Sequence, residues 1–156
     1  MSDKILVHFF DTSAISKHYH TETGTAKVDA LLDVPNSSQV ISRLSVVELH
    51  SVFAKKVRIG ELDHADFQNL ARRFRVDVAA RRLRVIRLTA AHFQSAGRLI
   101  RRIGLTKCLR TLYALQLTVA INLNESGAPI ELVCADQTLC TLAIAEGISV
   151  VNPEVV

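Results

Sequence analysis

The sequence lacks long hydrophobic runs. Hydrophobic residues make up 49% of its 156 residues, but apolar stretches such as VHFF are far shorter than the roughly 20 residues that a membrane-spanning helix needs. The first ten residues, MSDKILVHFF, contain neither an extended basic leader nor a small-residue cleavage site of the kind that directs export. We therefore expect a cytoplasmic protein with no membrane partner.

Cysteine is scarce, and several signals of other protein classes are missing. The three cysteines, Cys108, Cys134 and Cys140, match neither a zinc-site spacing nor a disulfide framework, so we expect reduced thiols in the core. No G-x-G-x-x-G follows the first apolar run, which disfavours a dinucleotide-binding protein. No repeat, low-complexity tract or glycine-serine linker divides the chain, and we expect a single domain over residues 1–156.

Positive charge is unevenly distributed. The formal net charge is +4, and arginine is concentrated in ARRFRVDVAARRLRVIRL (residues 71–88) and RLIRRIGLTKCLR (residues 98–110). One interpretation is a basic stripe that binds a polyanion. The other is a set of solvated helix faces whose aliphatic stems lie on the core. The sequence of these stretches leaves both interpretations open.

Short β-rich runs alternate with segments of helical periodicity. The runs lie at residues 4–10, 38–43, 84–88, 130–134 and 148–151. The intervening segments include two amphipathic helices, at residues 44–57 and 64–83, and glycines at 60, 104, 127 and 147 fall where helices should end. This alternation predicts an α/β fold with a central parallel sheet of about five strands between layers of helices.

Three acids fall where this fold would form a functional cleft. Asp11 directly follows the first strand, Asp136 follows the strand at 130–134, and Glu48 lies in the first turns of the helix after the strand at 38–43. In open α/β sheets, ligands bind beyond the carboxyl ends of the strands. Clustered carboxylates repel one another unless a cation neutralises them, and oxygen ligands suit Mg²⁺ or Mn²⁺.

Each acid also has a structural interpretation. Ser45-x-x-Glu48 matches a capping box, in which the glutamate bonds back to the start of its own helix. Asp11 and Asp136 precede helical segments, where an aspartate caps the helix by accepting from free backbone amides. Capping explains each acid taken singly, whereas the common position of all three at one sheet edge favours a metal site.

Four segments resemble the PIN domain, and in particular the VapC-type ribonuclease toxins. They are FFDTSAISKHY, SRLSVVELHSVFAKK, LRTLYALQLTVAINL and CADQTLCTLAIAEGISVVNPE. The resemblance runs over residues 5–154 and implies an Mg²⁺ or Mn²⁺ site of three or four acids that cleaves RNA with a metal-activated water. By this resemblance Asp11, Glu48 and Asp136 are metal ligands and catalytic residues. Thr12 and Ser13 match the hydroxyl residues that follow the first acid, and we expect them, with Tyr113 and Arg110, to bind substrate.

The chain departs from that pattern at Tyr113, where the resemblance implies an aspartate near the metal. A phenol with an ordinary pKa near ~10 cannot replace a carboxylate at neutral pH, so the site loses a negative charge. Tyr113 has three possible roles: stacking on a base, holding a metal-bound water, or packing on its helix. Gln116 follows one turn later on the same face.

The same resemblance implies partners. These are an RNA substrate, an antitoxin protein inserted near the acidic cleft, and a second copy of the chain in a homodimer. Arg110 and Lys17 are the nearest candidates by sequence for holding the phosphate backbone. We therefore expect a toxin of a toxin-antitoxin system that is a metal-dependent endoribonuclease, impaired if nothing compensates for Tyr113. The alternative is a catalytically inactive PIN-like module that binds RNA or a protein partner.

Overall fold

The computed structural model describes residues 4–155, which form a five-stranded parallel sheet with helices on both faces. The strands are β1 (Leu6–Phe10), β2 (Ser37–Ser42), β3 (Arg84–Ile86), β4 (Ile130–Val133) and β5 (Ser149–Val151). The sheet order is β3-β2-β1-β4-β5, and every pair is parallel. The predicted α/β fold and its five strands are confirmed.

Seven helices are present in the described part of the chain. They lie in the crossover connections that parallel neighbouring strands require. They are α1 (Thr12–Tyr19), α2 (Thr25–Leu32), α3 (Arg43–Arg58), α4 (His64–Ala79), α5 (Ala90–Ile103), α6 (Thr111–Glu125) and α7 (Gln137–Ala145). Among residues 4–155, no helix combines the length and the hydropathy that crossing a bilayer requires.

Two predicted elements extend at least two residues past their observed carboxyl ends. The helix predicted to reach residue 83 ends at Ala79, because the chain turns at Arg81, whose φ of 58° is left-handed. The strand predicted over 84–88 ends at Ile86, opposite Ser42 of β2. Ser42 itself caps α3. Because β2 ends at Ser42, β3 has no β2 residue to pair with after Ile86.

The core has two halves, one on each face of the sheet. Val7 and Phe9 of β1 pack with α5, α6 and α7 on one face. Phe10 packs with α1, α2, α3 and α4 on the other, where Phe53 and Phe74 are fully buried. Because side chains alternate along a strand, β1 supplies both halves and lies at the centre of the sheet. Its carboxyl end is therefore held rigidly where the first acid follows.

A row of polar side chains crosses the three central strands, with His8 and Gln39 buried and Glu131 partly exposed. His8 of β1 lies opposite Gln39 of β2 and Glu131 of β4. The distance from His8 Nδ1 to Gln39 Oε1 is 3.0 Å, and that from His8 Nε2 to Glu131 Oε2 is 3.4 Å. Gln39 Nε2 also donates to Ser37 Oγ at 2.6 Å. These partners satisfy polar groups that would otherwise destabilise the sheet interior.

The cysteines only partly match the prediction. All three thiols are free, and Cys134 and Cys140 are buried, as expected for core residues. Cys108 is exposed, so its assignment to the core was wrong. It lies between α5 and α6, in a connection that runs over the protein surface.

Candidate active site

The three predicted acids line one pocket at the carboxyl edge of the sheet. Its volume is about 320 Å³. Its lining consists of Asp11, Thr12, Ser13, Glu48, Ser51, Val52, Leu112, Tyr113, Gln116 and Asp136. The exits of β1, β2 and β4 thus bring together residues from α1, α3, α6 and the start of α7. Six of the seven predicted site residues lie in this wall; the seventh, Arg110, does not.

Asp11 is both a helix cap and a buried acid. Its carboxylate Oδ2 accepts from Ser13 N at 3.0 Å and from Ser13 Oγ at 2.6 Å, which caps α1. Burial raises the pKa of Asp11 because it removes the charged form from water, and nearby Asp136 adds to the rise. The bonds from Ser13 act in the opposite direction. The capping interpretation of Asp11 is therefore confirmed. Capping does not explain why an acid that is costly to ionise lies at this buried position.

Glu48 does not belong to a capping box. Helix α3 begins after Ser42, whose Oγ accepts from Ser45 N at 3.3 Å. Glu48 therefore lies in the second turn of α3, and its Oε2 accepts from the Thr12 hydroxyl of α1 at 2.6 Å. Burial raises the pKa of Glu48, and the charge of Asp11 contributes to this rise. The capping interpretation of Ser45-x-x-Glu48 was wrong, because Ser42 occupies the cap position instead.

A hydrogen-bonded network surrounds Glu48. Thr12 Oγ1 lies 3.0 Å from Ser45 Oγ, and Gln116 Nε2 donates to Ser45 Oγ at 2.9 Å and to Glu48 Oε2 at 3.4 Å. Thr12, Ser45 and Gln116 are all buried. From the sequence, Ser45 is expected only as a possible cap and Gln116 only as a residue on the same helix face as Tyr113. Neither contact could be predicted, because each joins residues more than thirty positions apart.

Tyr113 is bonded directly to the third acid. Its hydroxyl donates to Asp136 Oδ2 at 2.6 Å, while Asp136 Oδ1 caps α7 by accepting from Leu139 N at 2.9 Å. The bond to Asp136 raises the pKa of Tyr113 to about 12, so the phenol stays protonated at neutral pH. Both oxygens of Asp136 are thus engaged with donors from the chain.

Ser13 links the exits of β1 and β4. Its Oγ donates to Asp11 and accepts from the backbone N–H groups of Ala135 at 3.0 Å and Asp136 at 3.3 Å. The thiol of Cys134 lies below, 3.9 Å from Asp11 Oδ2. These contacts fix Asp11 relative to Asp136. Ser13 therefore orients the acids, and its expected contact with substrate stays a prediction.

The carboxylates of the pocket are of the chemical type that binds a hard cation, but they are not close enough together to surround one ion. Within residues 4–155, no basic side chain forms an ion pair with Asp11, Glu48 or Asp136. In the same part of the chain, no three histidine, cysteine, aspartate or glutamate side chains are grouped closely enough to hold a metal. Oxygen-only donors fit Mg²⁺ or Mn²⁺. The Tyr113 hydroxyl already donates to Asp136 Oδ2, one of the oxygens that would serve a cation.

Of the two predicted phosphate contacts, one lies near the pocket and one does not. Arg110 precedes α6, is exposed, and places its guanidinium 6.0 Å from the centre of the Tyr113 ring. Lys17 is buried and pairs with Glu154 Oε1 at 2.6 Å and Glu22 Oε1 at 3.4 Å. Its ammonium is already neutralised, so the prediction that Lys17 contacts phosphate was wrong.

Most arginines of the two basic stretches are exposed. Those of α4 that face solvent are Arg72, Arg73 and Arg75, and Arg101 and Arg102 are exposed on α5. Arg102 is paired with Glu146 at 2.6 Å. Exposure fits both the polyanion interpretation and the solvated-face interpretation.

The sequence model of the PIN domain family matches residues 8–151 of this chain. No curated protein matches the sequence.

Three solved structures illustrate the structural likeness. A toxin-antitoxin complex from Klebsiella pneumoniae matches with a TM-score of 0.61 and 18% identity, covering 94% of this chain and 97% of that one. VapBC2 from Rickettsia felis, bound to a promoter DNA fragment, matches with a TM-score of 0.61 and 16% identity, covering 94% of this chain and 98% of that one. FitAcB from Neisseria gonorrhoeae matches with a TM-score of 0.63 and 18% identity, covering 94% of this chain and 97% of that one. At these identities the likeness establishes a shared fold.

Proposed function

Because this chain belongs to the PIN domain family, we propose that it is a VapC-like ribonuclease toxin whose activity is reduced by Tyr113. The resemblance inferred from four segments of the sequence is confirmed at the level of the PIN domain. The proposed reaction is endonucleolytic hydrolysis of RNA phosphodiester bonds, dependent on Mg²⁺ or Mn²⁺. The observation that carries it is the meeting of three acids in one pocket, where two carboxyl groups have raised pKa values and no basic partner among residues 4–155.

Each pocket residue has a role in this proposal. Asp11, Glu48 and Asp136 would hold the divalent cation, which when bound polarises a phosphate and lowers the pKa of a water molecule. Ser13 fixes Asp11 by two hydrogen bonds. Thr12 binds Glu48 Oε2 and so presents the carboxylate in one orientation. The acids thus stay in place before any ligand arrives.

The resemblance to toxin-antitoxin complexes extends the proposal to partners. We propose that an antitoxin-type protein covers the acidic pocket and that the chain forms a homodimer. Co-expression with the neighbouring reading frame, followed by light scattering of the free and bound protein, tests both. A monomer that retains no co-expressed protein would contradict them.

The direct test of the proposed activity is RNA cleavage by the purified chain. We expect cleavage of single-stranded RNA in Mn²⁺ or Mg²⁺ and its loss on adding a chelator. Glu48→Gln should remove the activity while leaving the fold intact, because it retains the shape of the side chain. Cleavage that persists in the chelator would refute the metal-dependent mechanism.

A second candidate function is non-catalytic binding of RNA or a protein partner. The hydrogen bond between Tyr113 and Asp136 favours it, because that bond occupies an oxygen that a metal would need. RNA binding without cleavage at any Mn²⁺ concentration would support this candidate over the enzyme.

RNA binding should weaken steeply as salt rises, measured in chelator so that no cleavage occurs. Each phosphate contact on a single strand contributes roughly 0.7 to the slope of log affinity against log salt. We expect Arg110→Gln to lower this slope by about 0.7. The matched control is Arg102→Gln, since Arg102 is already paired with Glu146. Equal slopes for Arg110→Gln and the parent would show that Arg110 does not contact the backbone.

A further inference from the structure

Gln116 carries a buried polar atom that the chain leaves unpaired. The residue is 2% exposed and lines the acidic pocket. Its Oε1 has no hydrogen-bond donor among residues 4–155. A buried carbonyl oxygen without a donor costs free energy, so native proteins usually satisfy it with water or a ligand.

The orientation of the Gln116 amide is set by its other end. Nε2 faces two acceptors, Ser45 Oγ at 2.9 Å and Glu48 Oε2 at 3.4 Å. Turning the amide over would place Oε1 against the Glu48 carboxylate, and two acceptors would then face each other. Nε2 is therefore the end of the amide that faces Glu48, and Oε1 is the end without a partner.

Gln116 lies on the same helix and in the same pocket as Tyr113, the residue that replaces the expected acid. The two residues are three positions apart on α6 and therefore share a helix face. Both line the pocket, with Tyr113 bonded to Asp136 and Gln116 bonded to Glu48. An amide carbonyl is an ordinary oxygen ligand of hard divalent cations, although it brings no charge.

We propose that Gln116 is a further binding residue of this site, whose Oε1 supplies a neutral oxygen to the coordination shell of the cation. This inference rests on the proposed metal-dependent function. The amide then takes over part of the contribution of the acid missing at Tyr113. Because the added oxygen is neutral, the natural protein should bind the cation less tightly than a site with four carboxylates.

The test is a titration of the purified chain with Mn²⁺, following free Mn²⁺ by electron paramagnetic resonance without RNA. Gln116→Met keeps the length of the side chain and removes both polar atoms. We expect it to weaken Mn²⁺ binding about tenfold. Gln116→Glu keeps an oxygen but cannot donate to Glu48, and it should bind Mn²⁺ at least as tightly as the parent.

Gln39→Met is the matched control. Gln39 is also a buried glutamine, 8% exposed, but its amide bonds to His8 and Ser37 outside the pocket. It should lower thermal stability without changing Mn²⁺ affinity. An equal loss of affinity in this control would assign the effect to stability and overturn the inference.

The remaining outcomes separate this inference from the proposed function. Unchanged Mn²⁺ affinity in Gln116→Met overturns the role of Gln116 alone. Weakened binding in Gln116→Glu also overturns it, and this variant decides the matter if Gln116→Met does not fold. Failure of both the parent and Tyr113→Asp to bind Mn²⁺ overturns the metal-dependent function itself, and the inference with it.

Discussion

Tyr113→Asp should raise both the Mn²⁺ affinity and the rate of RNA cleavage, by roughly ten- to a hundredfold. The substitution removes the hydroxyl that binds Asp136 Oδ2 at 2.6 Å. It also adds a carboxylate to a pocket that already contains three acids. Without a cation the added charge repels the others, so the gain in stability on adding Mn²⁺ should be larger than in the parent. Calorimetric Mn²⁺ titration and RNA turnover, both without antitoxin, measure the effect.

Tyr113→Phe separates the two parts of this prediction. It frees Asp136 from the hydroxyl without adding a charge. We expect it to bind Mn²⁺ slightly more tightly than the parent and much less tightly than Tyr113→Asp. A parent that is already fully active, with no benefit from the aspartate, would show that the tyrosine belongs to a working site.

Asp11→Asn should abolish cleavage and stabilise the metal-free fold. The expected fall in turnover is about a thousandfold or more, as for removal of a central catalytic group. In the Tyr113→Asp background it should remove both gains. Asparagine caps a helix as well as aspartate does, so α1 keeps its cap. Because the carboxylate is buried and repelled by Asp136, we expect the free energy of unfolding to rise by about 1 kcal/mol at neutral pH.

The difference in unfolding free energy between Asp11→Asn and the parent should depend on pH, with a definite sign. The pKa of Asp11 is raised in the folded state above its ordinary value of 3.8. The folded protein therefore binds the proton more tightly than the unfolded chain does, and protonated Asp11 stabilises the fold. That contribution is complete below pH 3.8 and is lost as pH rises through the raised pKa. The parent should thus lose stability relative to Asp11→Asn over this interval, as measured by urea unfolding in chelator.

Asp63→Asn is the control for the cap. Asp63 caps α4 by accepting from Asp66 N at 2.7 Å, but it is exposed. The same exchange there should change stability very little, because asparagine caps a helix as well as aspartate does. Stability of Asp11→Asn at or below that of the parent at neutral pH would mean that the buried charge is stabilised by something other than a cation.

The sequence was sufficient to place two of the acids at the carboxyl ends of strands. Asp11 and Asp136 each sit between a strand and a helix, and such positions can be read from local patterns alone. Glu48 was harder, because both Ser42 and Ser45 are possible caps. Only the end of β2, which depends on its pairing with β1 and β3, decides between them.

Long-range contacts account for what the sequence could not supply. Lys17 looks like a free cation near the first acid, yet Glu154, 137 residues away, pairs with it. Gln116 reaches Ser45 across 71 positions. Periodicity and motif spacing carry no information about such pairs, since both describe neighbours along the chain.

The hydrogen bond from Tyr113 to Asp136 gives the pocket an optical signal of its own. The chain has no tryptophan and two tyrosines, so its ultraviolet emission comes chiefly from these two phenols. Tyr19 is buried in the core and bonded to Asp77, away from the pocket. A phenol bonded to a carboxylate emits weakly, because the excited state passes its proton to the acceptor. Any ligand that draws Asp136 away from Tyr113 should therefore brighten the protein without an added label, whereas a ligand bound away from both tyrosines should leave its emission unchanged.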